Sequence, residues 1–369
     1  MLYPVIIWIY SLFIKKPVDE IINNNIHLNK NLSISLIISA YNEENVILQK
    51  LNNCLTLNYP TDKMEIIIAS DGSTDETNSI VSNFDSDRIK FIDLPRMGKV
   101  NVINEIVPEA SGKILVFSDA NTIYDCNAII ELVKYFNKKQ IGCVCGNLKL
   151  VNPTEKELDG ESSYWKYEKW IKNLESKLGI VVGANGAIYA IRKKLFESLP
   201  PTTINDDFHI SMKIFDKGYD VVFSEKAIGK EYIAKNFHAE FKRHIRDGAG
   251  HYREMAHFIS LLSVFRGKRF FSYFSHRVIR WLVPFLLILI FLLNIVLLPL
   301  NYFTQILIAQ ITFYFIILFA FIMKSFQINI GILNLPLFFI STNVALLIGF
   351  IKNILGKQSV QWESTERII

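Results

Sequence analysis

Cysteine is scarce in this chain: there are four in 369 residues, at Cys54, Cys126, Cys143 and Cys145. Their spacing gives neither a metal-ligand pairing nor a disulfide framework. Cys143 and Cys145 fall on one face of an expected strand as small buried hydrophobes, and a reduced cytosolic compartment suits them. The seven histidines form no ligand cluster either. A long glycine-rich phosphate loop of the Walker kind is missing. No nucleic-acid-binding motif accompanies the basic residues, which argues against a nucleic-acid partner. Charge itself is nearly absent over long spans from residue 278 onward, whereas residues 30–235 alternate apolar runs with charged and turn-forming stretches. The middle is therefore built for water and the end for lipid.

What is present divides the chain into 1–16, 30–235, 236–277, 278–351 and 352–369. Leu2–Ile14 is apolar, precedes Lys15 and Lys16, and lacks a small-residue cleavage site, so a retained anchor is preferred over a signal peptide. At a helical rise it reaches about 20 Å, short of a ~30 Å hydrocarbon core, which suits a short or tilted anchor or an interfacial helix. Val278–Leu298, Gln305–Met323 and Gly331–Phe350 are three candidate transmembrane helices, and Pro284 and Pro336 are tolerable there. Phe237–Phe265 carries apolar residues at helical spacing among basic ones, as a helix lying at the interface would. Between 242 and 280 nine Lys or Arg face only Asp247 and Glu254, which points to the cytosolic side of an anionic bilayer. Three full spans would then put Lys352, Lys357 and Arg367 outside, against the positive-inside tendency, unless one span is re-entrant or interfacial. Trp362 is placed as an interfacial anchor.

In the middle segment, Ile34–Ser39, Glu65–Ser70, Ile114–Phe117, Ile141–Val151 and Ala187–Ile191 read as strands. Helical patterns such as Leu48/Leu51/Leu55 and Val100/Ile103/Val107/Ala110 stand between them. The alternation predicts an α/β fold with a mostly parallel, Rossmann-like sheet covered on both faces. Ligands of such sheets bind beyond the carboxyl ends of the strands. Tyr164, Tyr167, Ile171, Leu174 and Leu178 form a stripe on a helix closed by Gly179, read as packing rather than sugar stacking. His209 is read as structural.

The strand ends carry the chemistry. The first runs into Ala40-Tyr41-Asn42-Glu43-Glu44, a set suited to a nucleoside or to an ordinary helix cap. The second ends in Asp71-Gly72-Ser73-Thr74-Asp75, where Gly72 permits a tight turn and Asp71 projects past the apolar run. Lys99 follows Gly98 at a helix start, where the macrodipole disfavours a cation and a bound diphosphate would resolve the mismatch. Asp119 and Asn121, pointing the same way off an extended segment, offer hard oxygens for Mg²⁺ or Mn²⁺ beside donor phosphates. Asp206 and Asp207 precede a helix, where adjacent acids cap the helix or supply a general base.

Together these motifs resemble the family 2 glycosyltransferases over about residues 33–250. That family has a GT-A fold and an inverting mechanism, and its membrane-integrated members include hyaluronan, cellulose and poly-N-acetylglucosamine synthases. The resemblance implies that Ala40, Asn42, Glu43 and Asp71 hold uridine and that Lys99 contacts the nucleotide or its diphosphate. It implies that Asp119 and Asn121 hold the metal, with Asn121 where an Asp is more usual. Asp207 becomes the catalytic base with Asp206 beside it, and Gly183, Ala184, Asn185 and Gly186 line the acceptor side. Processive synthases carry Gln-x-x-Arg-Trp on the interfacial helix. The nearest match here, Arg243-His244-Ile245-Arg246-Asp247, lacks the aromatic, so transfer of one or few sugars to a glycan or lipid-linked acceptor competes with polymer synthesis. A nucleotidyltransferase would need the missing phosphate loop, and a transporter would need charges within its spans.

Overall fold

The computed structural model describes residues 2–13, 32–151, 163–232, 237–326 and 331–359. Lys15, Lys16, Trp362, Arg367 and the side chains of Tyr164 and Phe237 lie outside the described residues. The chain forms two compact units, one of residues 1–235, 257–276 and 359–369, the other of 236–256 and 277–358.

The first unit is built on a sheet of eight strands: β1 (Ile34–Ala40), β2 (Met64–Asp71), β3 (Ile89–Leu94), β4 (Ile114–Asp119), β5 (Ile123–Tyr124), β6 (Ile141–Val151), β7 (Tyr189–Arg192) and β8 (Asp220–Tyr232). Their order is β3-β2-β1-β4-β7-β6-β8-β5. The pairs β1–β2, β1–β4, β2–β3 and β6–β8 are parallel, as expected. β7 runs antiparallel to both its neighbours, and so does β5 to β8. All seven residues of β1 are buried, which is what a central strand covered on both faces requires.

Helices α1 (Leu2–Leu12), α2 (Ile47–Leu55), α3 (Thr77–Ser82), α4 (Lys99–Glu109), α5 (Ala128–Val133), α6 (Ser163–Leu178) and α7 (Asp206–Asp216) complete this part of the chain. Ile47, Leu51 and Cys54 of α2 repeat at helical spacing into the core shared with β1, β2 and β4. Gly179, with φ 69°, closes α6 as expected. The buried face of α6 is offset from the expected stripe. Ile171 and Leu174 pack against Tyr3 and Ile7 of α1, while Tyr167 and Trp170 stay 43% and 42% exposed. Glu168 and Glu175 take the inward positions instead, held by His276 at 3.1 and 2.6 Å.

In the second unit lie α8 (Phe237–His257), α10 (Ile279–Val296), α11 (Asn301–Ser325) and α12 (Asn334–Ile354), while α9 (Lys268–Tyr273) belongs to the first. The helix expected over Phe237–Phe265 ends at His257, and Ile259 falls in a separate single turn. Three helical stretches are long and apolar enough to cross a membrane: Lys268–Val296, Tyr302–Lys324 and Gly331–Ile354. Asn294 Nδ2 donates to Gln310 Oε1 across α10 and α11 at 2.8 Å, an interhelical hydrogen bond of the kind that joins helices in lipid.

Candidate active site

The strand order reverses between β1 and β4, so the crevice beyond their carboxyl ends is the natural ligand site of this sheet. Register brings the ends level, with Ser39 opposite Asp119, Ala40 opposite Ser70, and Asp71 opposite Leu94. The motifs that end β1, β2 and β4 therefore open from one edge.

The first two loops are stitched together. Asn42 adopts a left-handed φ of 52°, and its Oδ1 accepts from the Thr74 N–H at 2.8 Å. The Glu43 N–H donates to Thr77 Oγ1 at 2.8 Å, and Glu44 Oε2 accepts from the Glu76 N–H at 3.0 Å. Ala40 is buried at the end of β1. Asp71 Oδ1 accepts from the backbone N–H groups of Met97 (2.7 Å) and Gly98 (2.9 Å), and its Oδ2 pairs with the Arg96 guanidinium. Asp71 thus builds the 95–98 loop. Arg96 in turn lies over the Tyr41 ring, 3.4 Å from its centroid.

Gly98, with φ 89°, delivers Lys99 to the first position of α4. The Lys99 ammonium lies 2.9 Å from Asp119 Oδ1 and 3.5 Å from Asp206 Oδ2. Two carboxylates thus meet the cation at the helix start, where the sequence pattern called only for a bound diphosphate. Burial disfavours the ammonium, but Asp119 and Asp206 outweigh it and hold Lys99 above the usual lysine range.

Asp206 is buried at the start of α7, and Asp207 follows it. Burial first, and the Asp206 carboxylate second, push the Asp207 carboxyl up to about 7, against the pull of Lys99 and of the Phe208 N–H bonded to Oδ1 at 2.8 Å. The 183–186 segment, expected on the acceptor side, meets this carboxyl: a Cβ on Gly186 would lie 3.5 Å from Asp207 Oδ2. Ser211 Oγ fastens the two, accepting from the Ala184 N–H (2.9 Å) and donating to the Asp207 carbonyl (2.8 Å). Gly183 has φ 86°, and Asn185 Oδ1 accepts from the Ala187 N–H at 3.1 Å. His209 is buried, with its ring 4.7 Å from that of His257 and 5.3 Å from that of Phe258.

The pair expected to hold a metal needs one correction. Asp119 ends β4, but Asn121 sits in a turn closed by the Thr122 N–H on the Asp119 carbonyl at 3.2 Å, because the chain reverses there into β5. The donor set still suits a hard cation. Asn121 Oδ1 is buried and has no hydrogen-bond partner among the described residues, an acceptor left for something else. Among the described residues no three His, Cys, Asp or Glu converge on a metal-sized site, so donor phosphates would have to complete the shell. Arg243 and Arg246 stand on α8 in the second unit, with Arg246 Nη2 3.3 Å from Asp247 Oδ1.

Two residues near the cluster carried no assignment in the sequence reading. Arg96 is flagged only by its place beside Gly98 and Lys99. Tyr189 is fully buried and stacked on Phe117, and its hydroxyl has no partner among the described residues. Burial first, then Asp206 and Asp207, raise its pKa well above the usual range. Inside an apolar strand nothing in the sequence marks it out.

A solved mannosyltransferase from Pyrobaculum calidifontis, in complex with GDP-Man and Mn²⁺, matches with a TM-score of 0.70 at 18% identity, covering 96% of this chain and 95% of that one. The fold is that of the GT-A glycosyltransferases, followed by three candidate transmembrane helices. Residues 35–199 match Glycosyl transferase family 2, and residues 119–323 match Glycosyl transferase family group 2. The chain belongs to the family 2 glycosyltransferases, and it carries three helices long and apolar enough to cross a membrane. It is 27% identical over 267 residues to a poly-β-1,6-N-acetyl-D-glucosamine synthase of Staphylococcus epidermidis, covering 68% of this chain and 64% of that protein. A Bacillus subtilis protein described as probable glycosyltransferase YdaM is 26% identical over 273 residues, covering 65% of this chain and 62% of that one. The chain thus spans less than two thirds of the length of these relatives.

Proposed function

We propose that the enzyme transfers a sugar with inversion from a UDP-sugar to a hydroxyl on a glycan or lipid-linked acceptor, with Asp207 as general base, at the cytosolic face of the membrane. One cluster carries this reading: Lys99, Asp119, Asp206 and Asp207 at the carboxyl edge of the sheet, with the Asp207 carboxyl raised to about 7. A base poised near the working pH takes a proton efficiently, and inversion needs only one such group. Asp207 would take the acceptor hydroxyl proton as the oxygen bonds to the anomeric carbon. The bond from that carbon to the diphosphate breaks, and its electron pair leaves with UDP. Gly186 sets no side chain against Asp207 Oδ2, where a Cβ would lie 3.5 Å away.

On the donor side, Ala40, Asn42, Glu43 and Asp71 would hold uridine, and Lys99 would meet the diphosphate. Asp119 and Asn121 would hold Mg²⁺ or Mn²⁺, which when bound neutralises charge on the departing diphosphate. Donor hexoses are commonly α-linked to their nucleotide, so the β-linked product named for the staphylococcal relatives is what inversion yields. The staphylococcal relatives' names point to a polymeric product, whereas the missing aromatic after Arg246 points to shorter transfer. The cytosolic placement is supported by the basic residues between 242 and 280.

Membrane preparations should be incubated with a panel of UDP-sugars and with GDP-mannose, with and without Mn²⁺ or Mg²⁺. UDP release that requires the cation is the expected result. GDP release from GDP-mannose alone would overturn the uridine assignment, and pyrophosphate release would overturn sugar transfer as the chemistry.

A further inference from the structure

Lys50 on α2 is fully buried, yet nothing in the proposed chemistry uses it. It occupies an inward position between Ile47, Leu51 and Cys54, where an apolar residue would continue the core. Taking an ammonium out of water is costly, and its partners must offset that cost. The partners are close and specific. Lys50 Nζ donates to Ser118 Oγ at 2.6 Å and to the Thr122 carbonyl at 2.5 Å, and it lies 4.4 Å from the centre of the Tyr124 ring.

Those contacts bracket the metal-site pair. Ser118 immediately precedes Asp119 and Thr122 immediately follows Asn121, so one ammonium grips the turn on both sides. One helical turn further along α2, Asn53 holds the far end, its Nδ2 donating to the Tyr124 carbonyl and its Oδ1 accepting from the Tyr124 N–H, each at 2.8 Å. The Thr122 hydroxyl is tied to Glu231 on β8. A turn between two strands would otherwise be free to vary its backbone, and with it the direction of Asn121 Oδ1.

We propose that Lys50 is a positioning residue that fixes the turn bearing Asp119 and Asn121 so that both side-chain oxygens face the cation and the donor diphosphate. This rests on the metal-assisted reading given above. The groups that orient metal ligands set affinity as surely as the ligands do, and losing one typically costs about 10–100-fold. The effect should therefore appear in the metal-dependent part of donor binding and not in nucleoside recognition by the first two strand ends.

The test is calorimetric titration of the full-length, detergent-solubilised protein with UDP, in EDTA and in Mn²⁺, for the wild type and for Lys50→Met. Methionine matches the volume and suits the apolar stripe. The expected result is unchanged affinity in EDTA and a gain from Mn²⁺ smaller by about 10–100-fold. A K50M protein that keeps the wild-type gain overturns the role of Lys50. So does one that loses UDP affinity equally in both buffers, since that marks a general structural contribution. A wild type with no gain from Mn²⁺ overturns the metal reading itself, and this inference with it. If K50M does not fold, Ser118→Ala removes one of the two oxygens that Lys50 grips while keeping the ammonium, and the same pair of titrations decides by the same outcomes.

Discussion

Asp207 owes its proton affinity to burial and to the Asp206 carboxylate, so the acid limb of the rate profile should belong to that pair. A base must be ionised to work, so sugar transfer should fall as pH drops below about 7 and level off above it. Asp206→Asn removes the neighbouring negative charge and should move that limb to lower pH, as read from kcat/KM against pH. The stability sign is opposite to that of activity. A carboxyl whose folded pKa is raised binds its proton more tightly when folded, so its contribution is present in acid and lost as pH rises through about 7. Asp207→Asn should accordingly unfold at a higher temperature than the wild type at pH 8, while being far less active. Arg96 acts at a distance from the base. Arg96→Ala strips Asp71 of its cationic partner, a hydrogen bond to a charged group worth about 1.5–3 kcal/mol. Donor KM should rise about tenfold or more with kcat little changed.

Among the elements, the loops at the sheet edge are held by backbone geometry as much as by side chains. Gly72 has φ 66°, and a Cβ there would lie 2.5 Å from the Arg96 backbone nitrogen. Gly72→Ala should therefore displace the 95–98 loop and weaken UDP binding in a titration, without requiring any charge to be lost. β1, β2, β4 and β6 were legible because central strands are near-continuous apolar runs that end in acids, amides or turns. β3 was not, since as an edge strand it leaves Lys90 and Asp93 exposed. β8 was hidden by Ser224-Glu225-Lys226 in the middle of its thirteen residues. The same logic divides the site. Asp119 announces itself at the end of an apolar run, and Lys99 and Asp207 at helix starts, whereas Lys50 and Tyr189 sit inside a helix and a strand and share their periodicity. The α1–α6 pairing was equally invisible, because it depends on Tyr3, whose hydroxyl donates to the buried Glu175 carboxylate. Tyr3→Phe should lower stability by about 1–3 kcal/mol, seen as a reduced melting temperature in detergent.

For the molecule as a whole, membrane side and chemistry must agree, since nucleotide sugars are cytosolic. Cys126 is exposed while Cys54, Cys143 and Cys145 are buried, so one thiol reports the side of the first unit. A membrane-impermeant maleimide should label Cys126 in inside-out vesicles and leave it unmodified in intact cells; labelling in intact cells would place the unit outside. Inverting transfer by this route requires Asp207 to face the anomeric carbon of a donor held by the strand ends. Its most direct test is single-turnover transfer by Asp207→Asn, measured beside UDP binding to the same preparation. The prediction is a loss of about 10²–10⁴-fold in transfer, the usual contribution of a general base, with UDP affinity preserved. Transfer at close to the wild-type rate by that variant would contradict it.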